Sequence, residues 1–165
     1  MIDIAAYLQR IGYAGSATPD LDTLHRLQQA HLLTVPFENL DIALGRSIIL
    51  DEATLLHKIV DHRRGGFCYE ANGAFAALLR ALGFRVSLLS AGVAHKTGGF
   101  GPDFDHLVLL VHLAEPWLVD VGFDTQQKPL FQGAGIYNGA CVDPATNGFT
   151  NGGTYGCKLS NGWWM

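Results

Sequence analysis

The chain has 165 residues, of which 48% are hydrophobic and 16% charged, and its formal net charge is −4. This composition indicates one ordinary globular domain or two small ones rather than a disordered chain. Arg63-Arg64 is the largest basic cluster and no apolar run reaches the length of a membrane span, so we expect neither a nucleic-acid partner nor a membrane.

The first part of the chain is predicted to be helical. Apolar residues at helical spacing predict a first helix that ends at Gly12. A second helix is predicted to start at Thr18-Pro19-Asp20, with the Thr18 hydroxyl as its cap, proline in the first turn and Asp20 as an early acid, and to run to about Leu33. A third is predicted from its cap Asp51 through Val60. The apolar stripes of these helices are typical of a helical bundle with a buried core.

The most informative segment is Arg64-Gly65-Gly66-Phe67-Cys68-Tyr69-Glu70-Ala71-Asn72. It predicts a glycine turn that places Cys68 on the first turn of a fourth helix, which ends at Gly83. A thiol at that position faces unpaired backbone N–H groups and the positive end of the helix dipole, which favours the nucleophilic thiolate. The alternative is a buried, unreactive cysteine, because free cysteine is among the most buried residue types.

After Gly83 the apolar period changes from 3.6 to 2, which predicts strands at 84–89, 104–113 and 117–121, with Glu115-Pro116 as a connection. Helices followed by antiparallel strands predict an α+β fold. We therefore predict a helical domain at 1–83 that carries the nucleophile at the start of its last helix. An incomplete β domain follows at 84–130 (with 165 as an alternative end), and 131–165 forms a Gly/Asn-rich tail whose structure the sequence does not predict.

Two polar residues are set into the apolar strands. His106 lies on the second predicted strand and Asp120 on the third, and a short hairpin would bring them together. A buried aspartate requires a partner, so Asp120 would orient His106, and His106 would pair with Cys68. Taken singly, His106 could be a core histidine and Asp120 a turn residue. His112 and His95 are interpreted as structural or surface residues.

The cysteine pattern bears on location and on metals. Cys68, Cys141 and Cys157 form an odd set without zinc or CxxC spacing, and the N-terminus lacks a secretory signal, so we expect a cytoplasmic protein. A Cys141–Cys157 disulfide stays open as an alternative. Cys68, His106 and Asp120 could bind a metal only with a further ligand, and no second His or Cys at ligand spacing supplies it, so no metal is expected.

Four blocks of the sequence resemble the signature segments of the arylamine N-acetyltransferases: residues 35–40, 64–72, 105–107 and 119–123. They occur in the family's order within roughly residues 1–123. The resemblance implies a helical first domain and a β-barrel second domain around a papain- or transglutaminase-like cysteine core. It also implies that Cys68 is the acetyl-accepting nucleophile, His106 the base and Asp120 the orienting acid.

The resemblance assigns further residues. It implies a structural ion pair between Glu38 and Arg64 that supports the site. It also implies pocket-lining positions, which suit a flat aromatic acceptor, at Phe37, Tyr69, Val93 and Phe123.

The implied reaction is ping-pong acetyl transfer from acetyl-CoA to an arylamine or hydrazine through an acetyl-cysteine. The backbone N–H of Cys68 is the expected donor to the oxyanion. Two alternatives stay open. One is another Cys-His-Asp acyltransferase or amide synthase with a bulky acyl donor, and the other is a catalytically inactive fragment that acts as a binding module.

The sequence departs from the family in two places. Asp124-Thr125-Gln126-Gln127 stands where the family has a glycine-rich turn near the phosphates of the cofactor, and an acid there opposes a pyrophosphate. Family members are also longer and carry a third, C-terminal α/β domain that covers the cleft. We expect this lid domain to be missing here, and the uncovered cleft to promote self-association.

Overall fold

The computed structural model describes residues 2–93, 100–123 and 137–138. The secondary structure comprises helices α1 (Ile4–Arg10), α2 (Leu21–Thr34), α3 (Leu40–Ala43), α4 (Glu52–Leu56) and α5 (Cys68–Ala81), a π turn (His57–Asp61) after α4, and strands β1 (Arg85–Ala91), β2 (His106–His112), β3 (Pro116–Val119) and β4 (Tyr137–Asn138). The predictions on His95, on Asp124–Gln127 and on a Cys141–Cys157 disulfide fall outside the described residues.

The helices begin where capping side chains allow. Asp20 accepts a hydrogen bond from the Thr23 N–H (2.8 Å) at the start of α2, and Asp51 does the same for the Thr54 N–H (2.9 Å) at the start of α4. The predicted starts of α4 after Asp51 and of α5 at Cys68 are confirmed. Helix α2 begins two residues later than predicted, because Asp20 rather than Thr18 caps it. The short helix α3 was not predicted, because four residues are too few to show a helical period.

The third predicted helix is present, but its second half has π rather than α geometry. The chain changes from α to π geometry at His57, and the His62 N–H donates to the His57 carbonyl at 3.0 Å. Arg10, buried beneath this turn, donates from Nε to the Ile59 carbonyl at 2.8 Å and from its other nitrogens to the carbonyls of Thr34 and of the 63–64 turn. The Arg10 guanidinium therefore provides hydrogen-bond donors to main-chain carbonyls, which in a regular helix would be paired within the helix.

The strands form one antiparallel sheet in the order β1-β2-β3-β4. The second strand begins at His106 rather than at 104, because Phe104 has a left-handed φ of 67° and donates its N–H to Ser90 Oγ at 2.6 Å. The third strand is 116–119 rather than 117–121 and so includes the proline predicted to lie in the connection. It ends at Val119 because the Asp120 carbonyl and the Val121 N–H bond to side chains of α2 and α5.

One core lies between the helices and the sheet. Phe75 and Leu79 of α5 are completely buried against Leu109 and Val111 of β2. A smaller apolar cluster, which includes Val108 and Leu118, covers the other face of the sheet. The predicted α+β fold is confirmed. Within the described ranges no strand pairing closes the sheet into a barrel, and no helix there is long and apolar enough to cross a membrane.

Candidate active site

A glycine turn fixes the position of Cys68. A Cβ atom at Gly65 would overlap the carbonyl oxygen of Pro36, so no other residue fits there. Gly65 N–H donates to Glu38 Oε2 at 3.0 Å, Gly66 N–H donates to the Pro36 carbonyl at 3.3 Å, and Glu38 N–H donates to the Gly66 carbonyl at 3.1 Å. The turn is thus paired to residues 36–38 just before α5 begins.

The first turn of α5 is capped from within. Glu70 Oε2 accepts the N–H of Phe67 at 3.2 Å and so satisfies a donor that the helix leaves unpaired. Cys68 is the first helical residue, and only 8% of its surface is exposed. It is a free thiol in a position where the helix dipole favours negative charge.

His106 lies between the thiol and a carboxylate. Its Nε2 is 2.6 Å from Asp120 Oδ2, and its side chain also forms a hydrogen bond with Cys68. Because a carboxylate only accepts hydrogen bonds, Nε2 carries a proton in this contact, and Nδ1 is the ring nitrogen that is left for the thiol. The structure thus brings Cys68, His106 and Asp120 into one hydrogen-bonded chain.

The electrostatics of the pair favour two opposite charges. Burial lowers the pKa of His106, but the charge and hydrogen bond of Asp120, with smaller effects from Cys68, outweigh burial and raise the pKa to about 10. Burial raises the pKa of Asp120, but His106 and the hydrogen bonds from Asn72 and Gly122 lower it more. Near neutral pH the pair is therefore imidazolium and carboxylate.

Side chains of α2 and α5 hold the segment that carries Asp120. Asn72 Nδ2 donates to Asp120 Oδ1 at 2.9 Å and to the Leu107 carbonyl at 2.8 Å, while its Oδ1 accepts the Val121 N–H at 2.9 Å. Gln28 Nε2 donates to the Asp120 carbonyl at 3.1 Å. Sequence reasoning assigned no role to Asn72, although a polar residue one turn after Cys68 on an otherwise apolar helix face was a signal for it.

Gly122 lets the sheet approach the nucleophile. A Cβ atom built on Gly122 would lie 2.5 Å from Cys68 Cα and 2.8 Å from Asn72 Nδ2. Its N–H donates to Asp120 Oδ1 at 2.9 Å. Only glycine permits this contact between the 120–122 segment and the first turn of α5.

The four residues expected to line a pocket differ in their contacts with this hydrogen-bonded chain. Phe123 packs edge-on against the His106 ring, with 5.2 Å between ring centroids. Tyr69, next to Cys68, donates its hydroxyl to the Phe104 carbonyl at 2.5 Å. The other two contact residues close in sequence to the triad. Phe37 forms an isolated β-bridge with Gly66, two residues before Cys68, and Val93 donates its N–H at 3.3 Å to Oδ2 of Asp105, the residue before His106.

The expected ion pair is part of a larger cluster. Arg64 bonds to Glu38 and, at 3.0 Å, to Asp41 Oδ2. Lys58 Nζ lies 2.9 Å from the same Asp41 oxygen and 2.7 Å from Glu70 Oε1. Sequence reasoning missed Asp41, Lys58 and Glu70, because each lies on a different element; the acid at the third position of α5 was the one available sign, as a capping residue.

The remaining candidates are another histidine of β2 and a possible metal site. His112 bonds through Nε2 to Ser87 Oγ at 2.9 Å, away from the thiol. Among residues 2–93, 100–123 and 137–138, no group of three or more His, Cys, Asp and Glu side chains is arranged to hold a metal ion. The thiol, imidazole and carboxylate of the site together suit acyl transfer through a nucleophile.

Comparison with known proteins gives a consistent result. A family model described as N-acetyltransferase matches residues 20–134. The arylamine N-acetyltransferase of Escherichia coli is 45% identical over 121 residues, which cover 73% of this chain and 43% of that protein. The proansamycin X synthase of Amycolatopsis mediterranei is 38% identical over 136 residues, which cover 79% of this chain and 52% of that protein.

Solved structures that the chain matches are also arylamine N-acetyltransferases. The arylamine N-acetyltransferase from Salmonella typhimurium matches with a TM-score of 0.74 and 36% identity, over 82% of this chain and 48% of that one. The Mycobacterium marinum arylamine N-acetyltransferase in complex with CoA matches with a TM-score of 0.65 and 40% identity, over 73% of this chain and 46% of that one. The chain spans about half the length of the relatives it matches.

Proposed function

This chain belongs to the arylamine N-acetyltransferase family, and on that premise we propose that it transfers an acetyl group from acetyl-CoA to an arylamine or hydrazine through acetyl-Cys68. One observation supports the proposal above all: Cys68 contacts the imidazole of His106, which Asp120 holds at 2.6 Å. A nucleophile, a base and a group that orients the base are the parts that acyl transfer requires.

In the first half-reaction, the Cys68 thiolate, paired with the His106 imidazolium, forms a bond to the acetyl carbonyl carbon, and the bond from that carbon to the sulfur of CoA breaks. His106 gives its proton to the departing thiolate, so CoA leaves as a thiol and the imidazole becomes neutral. The N–H of Cys68, at the N-terminus of α5, is the proposed donor to the oxyanion.

In the second half-reaction, neutral His106 takes the proton of the attacking amine as its nitrogen bonds to the acetyl carbon. The bond between that carbon and Cys68 Sγ then breaks, and the amide leaves. The thiolate–imidazolium pair is restored, so protons and charges balance over the ping-pong cycle.

The surroundings suit such substrates. Phe123 on the His106 ring and Tyr69 beside Cys68 offer aromatic surfaces to a flat amine, and Phe37 and Val93 are proposed to extend this pocket. The existence of a related structure in complex with CoA supports acetyl-CoA as the donor. The helix-borne thiol facing a sheet-borne imidazole is the basis for proposing a papain- or transglutaminase-like core, and a cytoplasmic location would keep the thiol reduced.

Intact-mass analysis tests the proposal. The chain is incubated with acetyl-CoA and no amine, and we expect one acetyl adduct, mapped to Cys68 by peptide analysis, with stoichiometric release of CoA. Cys68→Ser should give no adduct. Adding an arylamine should remove the acetyl group and yield the amide. Absence of any adduct on folded wild-type protein would refute acetyl-CoA as the donor.

A second candidate is acyl or amide transfer with a bulkier donor. It is favoured by the relative named proansamycin X synthase, since that name is not that of an acetyltransferase. The same assay with longer acyl thioesters separates the two functions. Acylation of Cys68 by long-chain donors but not by acetyl-CoA supports the second candidate, and acylation by neither donor favours a binding module.

A further inference from the structure

Asn72 uses both ends of its side-chain amide behind the His106–Asp120 pair. It is completely buried, donates from Nδ2 to the Leu107 carbonyl (2.8 Å) and to Asp120 Oδ1 (2.9 Å), and accepts the Val121 N–H at 2.9 Å. The Leu107 carbonyl and Asp120 Oδ1 can only accept hydrogen bonds, and the Val121 N–H can only donate one. The reverse orientation of the amide would lose all three hydrogen bonds, so this arrangement is unique.

These contacts determine which oxygen of Asp120 faces His106. Oδ1 accepts from both Asn72 Nδ2 and the Gly122 N–H, each at 2.9 Å. Oδ2 is then directed at His106 Nε2, at 2.6 Å. A carboxylate held by two donors on one oxygen has little freedom to rotate away from the imidazole.

Helix α5 also couples this contact to the nucleophile. Asn72 follows Cys68 by one helical turn, so both side chains lie on the same face of α5. We propose that Asn72 is a positioning residue that sets the orientation of Asp120, and through it the support that His106 gives to Cys68. The catalytic consequence rests on the proposed function, because Asn72 acts through Asp120 rather than on substrate.

The wild-type chain provides the first test. In ¹⁵N-labelled protein, the side-chain NH₂ signals of Asn72 should shift with pH at the same midpoint as the ring signals of His106. They should do so because Asp120 links the two groups. Asn72 amide signals that do not move across the His106 titration would overturn the proposal.

Variants provide the second test. Asn72→Leu keeps a similar volume and removes the amide, and Asn72→Ala removes both; each should lower the titration midpoint of His106 by at least about one unit, a tenfold change in its proton affinity. Gln28→Met is the matched control, because Gln28 is also buried and donates to the main-chain carbonyl of Asp120. It should lower stability and leave the His106 midpoint unchanged.

The outcomes are separable from those of the proposed function. A folded Asn72→Leu protein with a wild-type His106 midpoint would refute the positioning role even if acetyl-CoA acetylates Cys68. If neither Asn72 variant folds, the wild-type titration decides alone. If acetyl-CoA does not react with the wild type, the proposed function fails, whereas the titrations still decide the role of Asn72.

Activity gives a final readout. With acetyl-CoA, the Asn72→Leu variant should show a lower rate of Cys68 acetylation at saturating donor, by roughly tenfold, with little change in the donor concentration at half-maximal rate. A change confined to that concentration would contradict a role in orienting the triad.

Discussion

Lys58 Nζ lies 2.7 and 2.9 Å from the two carboxylate oxygens of Glu70, and this contact joins the π turn to the first turn of α5. Glu70 also accepts the N–H of Phe67, the residue before Cys68. Burial lowers the pKa of Lys58, but Glu70 and Asp41 outweigh burial and raise it, so the ammonium stays charged. The Lys58–Glu70 ion pair therefore supports the position of Cys68, although neither His106 nor Asp120 takes part in it.

Removal of this ammonium should be costly. In Lys58→Met, Glu70 would keep a buried charge without its cation, since the two side chains are only 11% and 6% exposed. We expect a loss of about 3 kcal/mol in the free energy of unfolding, measured by urea denaturation. The double variant Lys58→Met/Glu70→Gln should regain part of this loss. Arg26→Ala, which breaks an exposed pair with Asp22, should cost less than about 1 kcal/mol.

The reactivity of Cys68 should depend on His106. In His106→Gln the cation that stabilises the thiolate is lost, and we expect the rate of iodoacetamide alkylation at pH 7 to fall roughly ten- to thirtyfold. His112→Gln, on the same strand but bonded to Ser87, should react like the wild type. Rapid alkylation in His106→Gln would show that another group generates the thiolate.

Stability should depend on pH in a defined direction. The pKa of His106 is raised from 6.5 to about 10, so its contribution to stability is complete below pH 6.5 and is lost as the pH rises through 10. The pKa of Asp120 is lowered from 3.8, so its contribution is present above pH 3.8 and is lost as the pH falls further.

The difference in unfolding free energy between the wild type and His106→Gln should therefore be largest between about pH 4 and 6.5, and should shrink by at least about 1 kcal/mol towards pH 10. Urea denaturation at several pH values measures it. A difference that grows with pH would contradict the assignment of an imidazolium–carboxylate pair.

A methyl group at Gly122 should disturb the site and the fold together. In Gly122→Ala the new Cβ would lie 2.5 Å from Cys68 Cα, and we expect a loss of roughly 1–3 kcal/mol in stability and slower alkylation of Cys68. Gly45→Ala is the control, because its φ of 65° is strained for alanine but its Cβ meets no atom within 4 Å. It should lose stability and keep the reactivity of Cys68.

Much of the fold was accessible from local patterns. The start signal at Thr18-Pro19-Asp20, the cap at Asp51 and the glycine turn before Cys68 each act within a few residues, and the structure has a helix at or within two residues of each predicted start. The differences between the predicted and observed elements also have local causes, which the pattern of apolar residues does not reveal. The apolar period continues through the π turn, and Phe104 matches a strand although Ser90 holds its backbone in a left-handed turn.

The candidate site divides in the same way. The sequence indicated Cys68, His106 and Asp120 as unusual polar residues, and the resemblance suggested how they act. The sequence could not indicate which oxygen of Asp120 faces His106, because that depends on Asn72, which lies 48 positions before Asp120 in the chain.

The sequence by itself therefore determined most of the helices and strands, the placement of the thiol at a helix start and the family to which the chain belongs. The tertiary structure decided how Asn72 directs Asp120 and how Lys58 supports Glu70. The physical reason is that buried polar groups must find partners wherever packing brings them, across 48 positions in one case and 12 in the other. A local period of apolar residues does not reveal which of these distant polar residues are brought into contact.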